Sequence, residues 1–233
     1  MKNPLFVFAF LGASFALSAQ TPAQPVVAVT KPASPVVVRW AEGAAGASSV
    51  VQNGMKIESL RSGSILIKVS PLTQVGDRYT QTWVGILNSG PDQLSFEPGK
   101  TSVEVIKPKA RTFSAIPRET ASGKIQNSGE SKAQMLASTG QQGNLDCTRA
   151  QLMGGCQPPG SGVSTHAAQD QMLVSSQQSQ WARQNGLSTA SLEAGASVQG
   201  AVFFPREKEK EYVVRIPVGN YVFEFPFDAQ DRR

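Results

Sequence analysis

The sequence predicts a mainly β protein, an antiparallel β-sandwich with a polar, partly helical insertion. Three observations support this fold class. Apolar and polar residues alternate with period two in two groups of segments, one before residue 107 and one after residue 187. Short turns containing Gly, Pro, Asp or Asn separate these segments. Between the two groups, residues 107–187 are rich in Gly, Ser and Gln and contain few large apolar side chains.

The first 19 residues have the layout of a secretory signal peptide. Lys2 precedes an apolar run from Leu5 to Leu17, and the small residues Ser18 and Ala19 precede the expected cleavage site. The run is shorter than the roughly 20 residues that a membrane-spanning helix needs. No later stretch of the sequence is long and apolar enough to span a bilayer. We therefore expect export to a periplasm or out of the cell, with an uncleaved anchor as the alternative.

The sequence then divides into a linker, a sandwich and a tail. Residues 20–49 are rich in Pro and Ala and are expected to form an extended linker. Within it, VVVRW at 36–40 is a candidate edge strand. The sandwich is expected over residues 50–227, interrupted by the insertion at 107–187, and residues 228–233 form a charged tail.

The strands of the first group follow from the alternation. Ile65, Ile67 and Val69 share one face of a strand, because successive side chains point to opposite faces. The next strand is apolar on both faces, which is typical of a central strand. The predicted strands of this group are 64–73, 80–88, 94–96 and 101–106.

The second group ends in a row of aromatic residues. Its predicted strands are 197–204, 212–218 and 221–227. Tyr221, Phe223, Phe225 and Phe227 alternate along the last strand and therefore leave one face of it. A row of exposed rings would promote aggregation, so we expect this row in the core. An exposed platform for a glycan or a protein partner is the alternative.

The insertion is expected to pack on the sandwich as a flap. Its main helix is predicted at about 165–185, capped by Ser164 or Thr165 and ended by Gly186. Ala167, Val174 and Trp181 are spaced seven apart and are expected to face the surface that the helix covers. Elsewhere between 107 and 162 only a short helix at 131–138 is predicted.

The two cysteines, Cys147 and Cys156, are close in sequence. In an oxidising compartment such a pair is expected to form a local disulfide, with free thiols as the alternative. A zinc site would need two further ligands, and His166 is the only histidine in the chain. We therefore predict no metal and no cofactor.

The charge of the chain is mildly positive. There are 22 Lys and Arg against 17 Asp and Glu, a formal net charge of +5, which does not by itself indicate a nucleic-acid partner. The densest positive stretch is KPKARTFSAIPR at 107–118, and its cations are Lys107, Lys109, Arg111 and Arg118. They are a candidate contact for an anionic glycan, a cell-wall polymer or a lipid head group, with a solvated loop as the alternative. PREKEKE at 205–211 alternates in charge and is interpreted as a solvated turn.

Several of these residues form a wider pattern. One predicted strand ends in Asn88, and the chain closes with the aromatic strand YVFEFPF. Between them lies L-x-x-G-x-x-V-x-G-x-V-F-F, formed by Leu192, Gly195, Val198, Gly200, Val202, Phe203 and Phe204. The sequence resembles the extracytoplasmic Ig-like (telokin-like) domains of secreted bacterial proteins, over roughly residues 60–106 and 190–227. The resemblance implies an antiparallel Ig-like β-sandwich outside the cytoplasm and brings no active-site residues with it.

The sequence indicates a binding or assembly function. It contains no G-x-S-x-G, no H-E-x-x-H and no phosphate-binding loop. We expect an exported, non-catalytic module at the bacterial cell envelope, whose partner is an unidentified protein or an envelope polymer. One alternative is a small envelope hydrolase that uses His166 with a carboxylate of the insertion. Another is a structural subunit that assembles through an open strand edge, so the chain is expected to be a monomer or a strand-edge assembly.

Overall fold

Two β-sheets pack face to face in the computed structural model, which describes residues 34–52, 54–151, 162–228 and 231. Within helices, the side chains of residues 138–151 and 162–165 are not described. The predicted signal peptide, 1–19, and the first part of the predicted linker lie outside the described residues. The mainly β class and the two-sheet architecture are as the sequence predicts.

The first sheet, sheet A, contains seven strands. They are β1 (Val36–Arg39), β7 (Leu94–Phe96), β8 (Ser102–Lys107), β9 (Arg111–Ser114), β10 (Ala190–Leu192), β12 (Glu211–Val218) and β13 (Tyr221–Asp228). Their order is β1-β13-β12-β7-β10, and β8 pairs with both β12 and β9. All pairs are antiparallel except β1 with β13, which is parallel. The candidate edge strand in the predicted linker is therefore β1.

The second sheet, sheet B, contains six strands. They are β2 (Ala47–Gln52), β3 (Met55–Ser62), β4 (Ile65–Val69), β5 (Thr73–Val75), β6 (Tyr79–Asn88) and β11 (Ser197–Pro205). Their order is β11-β6-β4-β3-β2, with β5 paired to β6, and every pair is antiparallel. β6 is a central strand, as its two apolar faces predict.

The main core lies between the two sheets, and the aromatic row of β13 belongs to it. Phe223, Phe225 and Phe227 are buried there, and Tyr221 packs against them partly exposed. Burial of each ring contributes roughly 1.5–3 kcal/mol. The prediction that this row is a core strand is confirmed, and the row is not a ligand platform.

Asn88, one of the residues on which the Ig-like resemblance depends, has a structural role. Nδ2 of Asn88 lies 2.7, 3.0 and 3.1 Å from the carbonyl oxygens of Asp92, Leu192 and Glu193. Its Oδ1 accepts a hydrogen bond of 3.0 Å from the backbone N–H of Gly90. This buried amide therefore joins the end of β6 to two loops, which explains a strand that ends in Asn.

Two helices form an antiparallel hairpin outside the sandwich. They are α1 (Arg118–Gln151) and α2 (Gly162–Asn185). α2 covers the helix predicted at about 165–185. The expectation that 107–162 is mostly irregular was wrong, because this stretch contains β9 and the 34 residues of α1.

Small side chains pack the two helices against each other. The buried residues of the hairpin seam are Ala121, Ser122, Ile125, Gly129 and Ala133 of α1 and Ala168, Ser175, Ser179 and Ala182 of α2. The predicted stripe of α2 was wrong in two of its three positions, since Ala167 and Val174 are exposed. Small residues allow the helix backbones to approach closely, so the seam carries no stripe of large apolar residues.

A second, smaller core fixes the base of the hairpin to the outer face of sheet B. It contains Val75, Tyr79, Ala121, Ile125, Ala182, Ala201 and Phe203. Trp181 packs at its margin, edge-on to Phe203 with ring centroids 6.3 Å apart. The backbone N–H groups of Ile116 and Leu187 bond to the carbonyls of Phe203 and Ala201. These contacts hold the start of α1 and the end of α2 on β11.

The predicted disulfide cannot be placed in this fold. Cys156 lies outside the described residues, and only the backbone of Cys147, within α1, is described. The disulfide therefore stays a prediction. Separately, none of the helices in the part of the chain that is described is long and apolar enough to cross a membrane.

Candidate functional site

A basic cleft lies at one end of the sandwich. The β8–β9 hairpin forms one wall, and the loop between β11 and β12, residues 206–210, forms the other. The cleft has a volume of about 470 Å³. Its charged lining residues are Lys109, Arg111, Arg206, Glu207 and Lys208, and Val105 and Pro108 complete it. Four positive charges and one negative charge thus face a single cavity.

Three of these cations, Lys109, Arg206 and Lys208, have no carboxylate partner among the residues that the structure describes. Arg111 is paired with Glu207, with 3.1 Å between Nη1 and Oε2. Lys109 and Lys208 are exposed and pair with no carboxylate among the residues that the structure describes. Exposed ion pairs are weak, so the Arg111 guanidinium is also available to a ligand at little cost. The cleft is therefore suited to an anion.

The four cations predicted as a contact do not all meet. Lys109 and Arg111 line the cleft, as just described. Lys107 lies at the end of β8, where its Nζ is 2.7 Å from Oε1 of Glu211. Arg118 starts α1 and donates a hydrogen bond of 3.2 Å to the carbonyl of Gly186, so it ties the two ends of the helical hairpin together.

Sequence reasoning missed the other wall of the cleft. Arg206 and Lys208 belong to PREKEKE, which was interpreted as a solvated turn. The strand pairing brings that turn beside the β8–β9 hairpin, because β8 lies next to β12 in sheet A. The positive residues of the turn could have been recognised as a partner for 107–111 only if this strand order had been known.

The outer face of sheet A has charged side chains of both signs that pair with one another. Arg215 lies between two carboxylates, 2.8 Å from Glu104 and 2.9 Å from Glu224. Arg39 on β1 lies 3.8 Å from Glu224 on its other side. These alternating charges on adjacent strands compensate one another, which makes this face a poor site for a charged ligand.

The most unusual titratable group of the described chain is Glu58 on β3. Its side chain is 0% exposed, and the Lys56 ammonium lies 3.2 Å from Oε1. Lys56 also lies 3.6 Å from Asp231 and 4.9 Å from the centre of the Trp40 ring. Burial raises the pKa of Glu58 to about 7; Lys56 opposes the shift and Asp231 adds to it. The carboxylate is shielded from solvent, although Glu58 borders a cavity of about 420 Å³ that Trp40 and Lys56 also line.

The described residues give no support to a hydrolase built on His166. His166 is exposed in the first turns of α2. No hydrogen bond or ion pair to another described residue orients it. No group of three or more His, Cys, Asp or Glu among the described residues could hold a metal ion.

One open strand edge in the described part of the chain is β2, which is a candidate for assembly of this kind. This strand lies at the edge of sheet B, and all its residues after Ala47 are exposed, including Val50 and Val51. It contains neither a charge nor a proline, the usual protections of a free edge. Assembly through a strand edge stays a prediction.

Comparison with protein-family models, with curated proteins and with solved structures gave no match to this chain.

Proposed function

We propose that the chain is an exported, non-catalytic Ig-like binding module that holds an anionic polymer of the bacterial cell envelope in its basic cleft. The observation that carries the proposal is the pair of lysines, Lys109 and Lys208, which face one cavity and pair with no carboxylate of the described residues. Arg111 and Arg206 line the same cavity and can add charge-assisted hydrogen bonds to a carboxylate, sulfate or phosphate group.

The position of the cleft also supports a binding role. Connecting loops at the end of a sandwich can vary in sequence without disturbing the core, and binding residues are often found there. The cleft is built from one hairpin turn and one loop that extend from strands of the main core. It is thus a polar site on a rigid support.

Binding to heparin, a soluble polysaccharide with many negative charges, tests the proposal. The variant Lys109→Glu/Lys208→Glu reverses both unpaired charges. We expect it to bind heparin roughly tenfold more weakly than the wild type at the same ionic strength, since two exposed ionic contacts of up to about 1 kcal/mol each are lost. Wild-type binding should also weaken as salt is added.

The matched control is Arg61→Glu/Lys68→Glu. These two exposed cations lie on β3 and β4 in sheet B, pair with no carboxylate among the described residues, and do not line the cleft. Their reversal changes the net charge by the same amount. If both variants lose affinity equally, the binding reflects net charge alone and the cleft is not a site.

A further inference from the structure

A second basic cavity lies beside the cleft, at the base of the helical hairpin. It has a volume of about 760 Å³ and lies between the β5–β6 turn and the part of α1 from Lys124 to Met135. Arg78, Lys124 and Lys132 supply its positive charges, and Asp77 is the only acidic residue among the described residues that line it. Asn127, Ser128 and Ser131 add polar groups along α1. This cavity therefore combines cations with uncharged hydrogen-bonding groups.

Arg206 connects the two cavities. It lines the basic cleft, and its backbone N–H donates a hydrogen bond of 2.7 Å to the carbonyl of Arg78. Its guanidinium donates a second one, of 3.2 Å, to the carbonyl of Asp77. Arg78 and Asp77 line the second cavity. The two cavities are thus adjacent and are held in a fixed relation.

The charge of the two cavities together is strongly positive. Among the described residues, seven cations and two acidic residues line them. Both acids are already paired with cations of the same set, Glu207 with Arg111 and Asp77 with Lys132. Cations without a carboxylate partner among the described residues are Arg78, Lys109, Lys124, Arg206 and Lys208. The excess of five equals the formal net charge of the whole chain, +5.

We infer that the basic cleft and the second cavity form one continuous track for a linear anionic polysaccharide. The inference rests on the proposed function, and it restricts the ligand from anionic polymers in general to linear polysaccharides. A compact anion would fill one cavity, whereas a polymer with repeated negative groups can occupy both. Simultaneous contact with two linked sites raises affinity well above that of either site. The amide and hydroxyl groups of Asn127, Ser128 and Ser131 suit the hydroxyl groups of sugars.

The lining favours a polysaccharide over a nucleic acid. Single-stranded nucleic acids bind on exposed aromatic rings that stack against the bases. Tyr79 is the only aromatic residue that lines either cavity in the described part of the chain, and it is only 8% exposed. The track therefore offers charge and hydrogen bonds but no stacking surface.

The test is the dependence of affinity on ligand length. Heparin-derived oligosaccharides from disaccharide to decasaccharide are titrated into the wild-type chain at one ionic strength. We expect affinity to rise with length. In Arg78→Gln/Lys124→Gln the short oligosaccharides should bind as in the wild type, while the long ones should bind roughly tenfold more weakly. Lys124→Gln alone, at an exposed helix position, gives the same test with the smallest structural change.

The outcomes separate this inference from the proposed function. If long and short oligosaccharides bind equally, or if the two substitutions leave long ones unaffected, the track is wrong and the cleft alone remains. If no oligosaccharide binds, the proposed function fails as well. Tighter binding of oligothymidylate than of an oligosaccharide with the same number of charges would overturn the assignment to polysaccharide. Arg61→Gln/Lys68→Gln is the control with matched charge loss.

Discussion

The guanidinium of Arg206 donates a hydrogen bond of 3.2 Å to the backbone carbonyl of Asp77. This bond joins the residue that follows β11 to the turn between β5 and β6, and so extends the pairing of β11 with β6 in sheet B. It fixes a cation at the boundary between the basic cleft and the cavity beside α1. A specific hydrogen bond therefore fixes the relative position of the basic cleft and the second cavity.

Removal of this contact is predicted to affect binding more than stability. Arg206 is exposed, so Arg206→Gln should change the free energy of unfolding by less than about 1 kcal/mol. It should nevertheless weaken heparin binding by up to roughly fivefold, because it removes a cation at the centre of the track. Parallel thermal unfolding and heparin titration check this. Unchanged heparin binding by a folded variant would show that Arg206 only positions the loop and does not contribute to binding.

The stability of the fold is predicted to decrease between about pH 4.5 and 7 through Glu58. Its ordinary pKa is 4.5 and its pKa in the fold is about 7, so within this window the folded chain keeps a proton that the unfolded chain releases. The contribution of Glu58 to the free energy of unfolding therefore falls as pH rises through the window and does not change further above it. The contribution lost is about 3 kcal/mol, from about 1.4 kcal/mol per pKa unit.

Glu58→Gln isolates this effect. The amide keeps the shape of the side chain and does not titrate, so the difference between wild type and variant should grow from pH 4.5 to 7 in favour of the variant. Chemical denaturation across this range measures it. The pKa of Lys56 is raised as well, because the carboxylates of Glu58 and Asp231 together outweigh the opposing effect of burial. Parallel profiles for the two proteins would disprove the assignment.

The close approach of α1 and α2 makes a prediction about Gly129. A methyl group at Gly129 would overlap Cβ and Oγ of Ser175. Gly129→Ala should therefore destabilise the hairpin by about 1–3 kcal/mol, although alanine is the better helix former. Ser175→Gly creates the missing space, so the double variant should recover most of the loss. Helix content during thermal unfolding measures these changes in stability. If the effects of the two substitutions simply add in the double variant, the close contact between Gly129 and Ser175 is contradicted.

Asn88 is predicted to be essential for the loop that follows β6. Asn88→Ala removes the amide that faces three carbonyls, of which that of Leu192 is buried, and should cost about 1–3 kcal/mol. Asn127→Ala, at an exposed position of α1, is the control and should stay within about 0.5 kcal/mol. Equal midpoints of urea unfolding for the two variants would contradict the structural role of Asn88.

The strands could be predicted because burial between two sheets requires period-two alternation. Ile65, Ile67 and Val69 show it, and all three are in the core. α1 could not be predicted in the same way. Its buried residues include Ala121, Gly129 and other small side chains, whose polarity and size differ little from those of the exposed positions. A helix stabilised by close backbone approach therefore lacks the apolar stripe that identifies most helices.

The candidate site was predictable only where its residues are neighbours in sequence. Lys109 and Arg111 come from the densest basic stretch and face the cleft together. Arg206 and Lys208 reach it through strand pairing, and Lys124 reaches the second cavity through the docking of α1 on sheet B. No local pattern of charge records these long-range contacts, so one wall of the cleft and the second cavity were missed.

Hydrogen exchange detected by mass spectrometry, with and without heparin, tests most directly whether the basic cleft is the binding site. We expect slower exchange on heparin addition in the β8–β9 hairpin and in residues 206–210, and no such change in Lys109→Glu/Lys208→Glu. Protection of other segments, such as the exposed edge strand β2, with the cleft unaffected would contradict it.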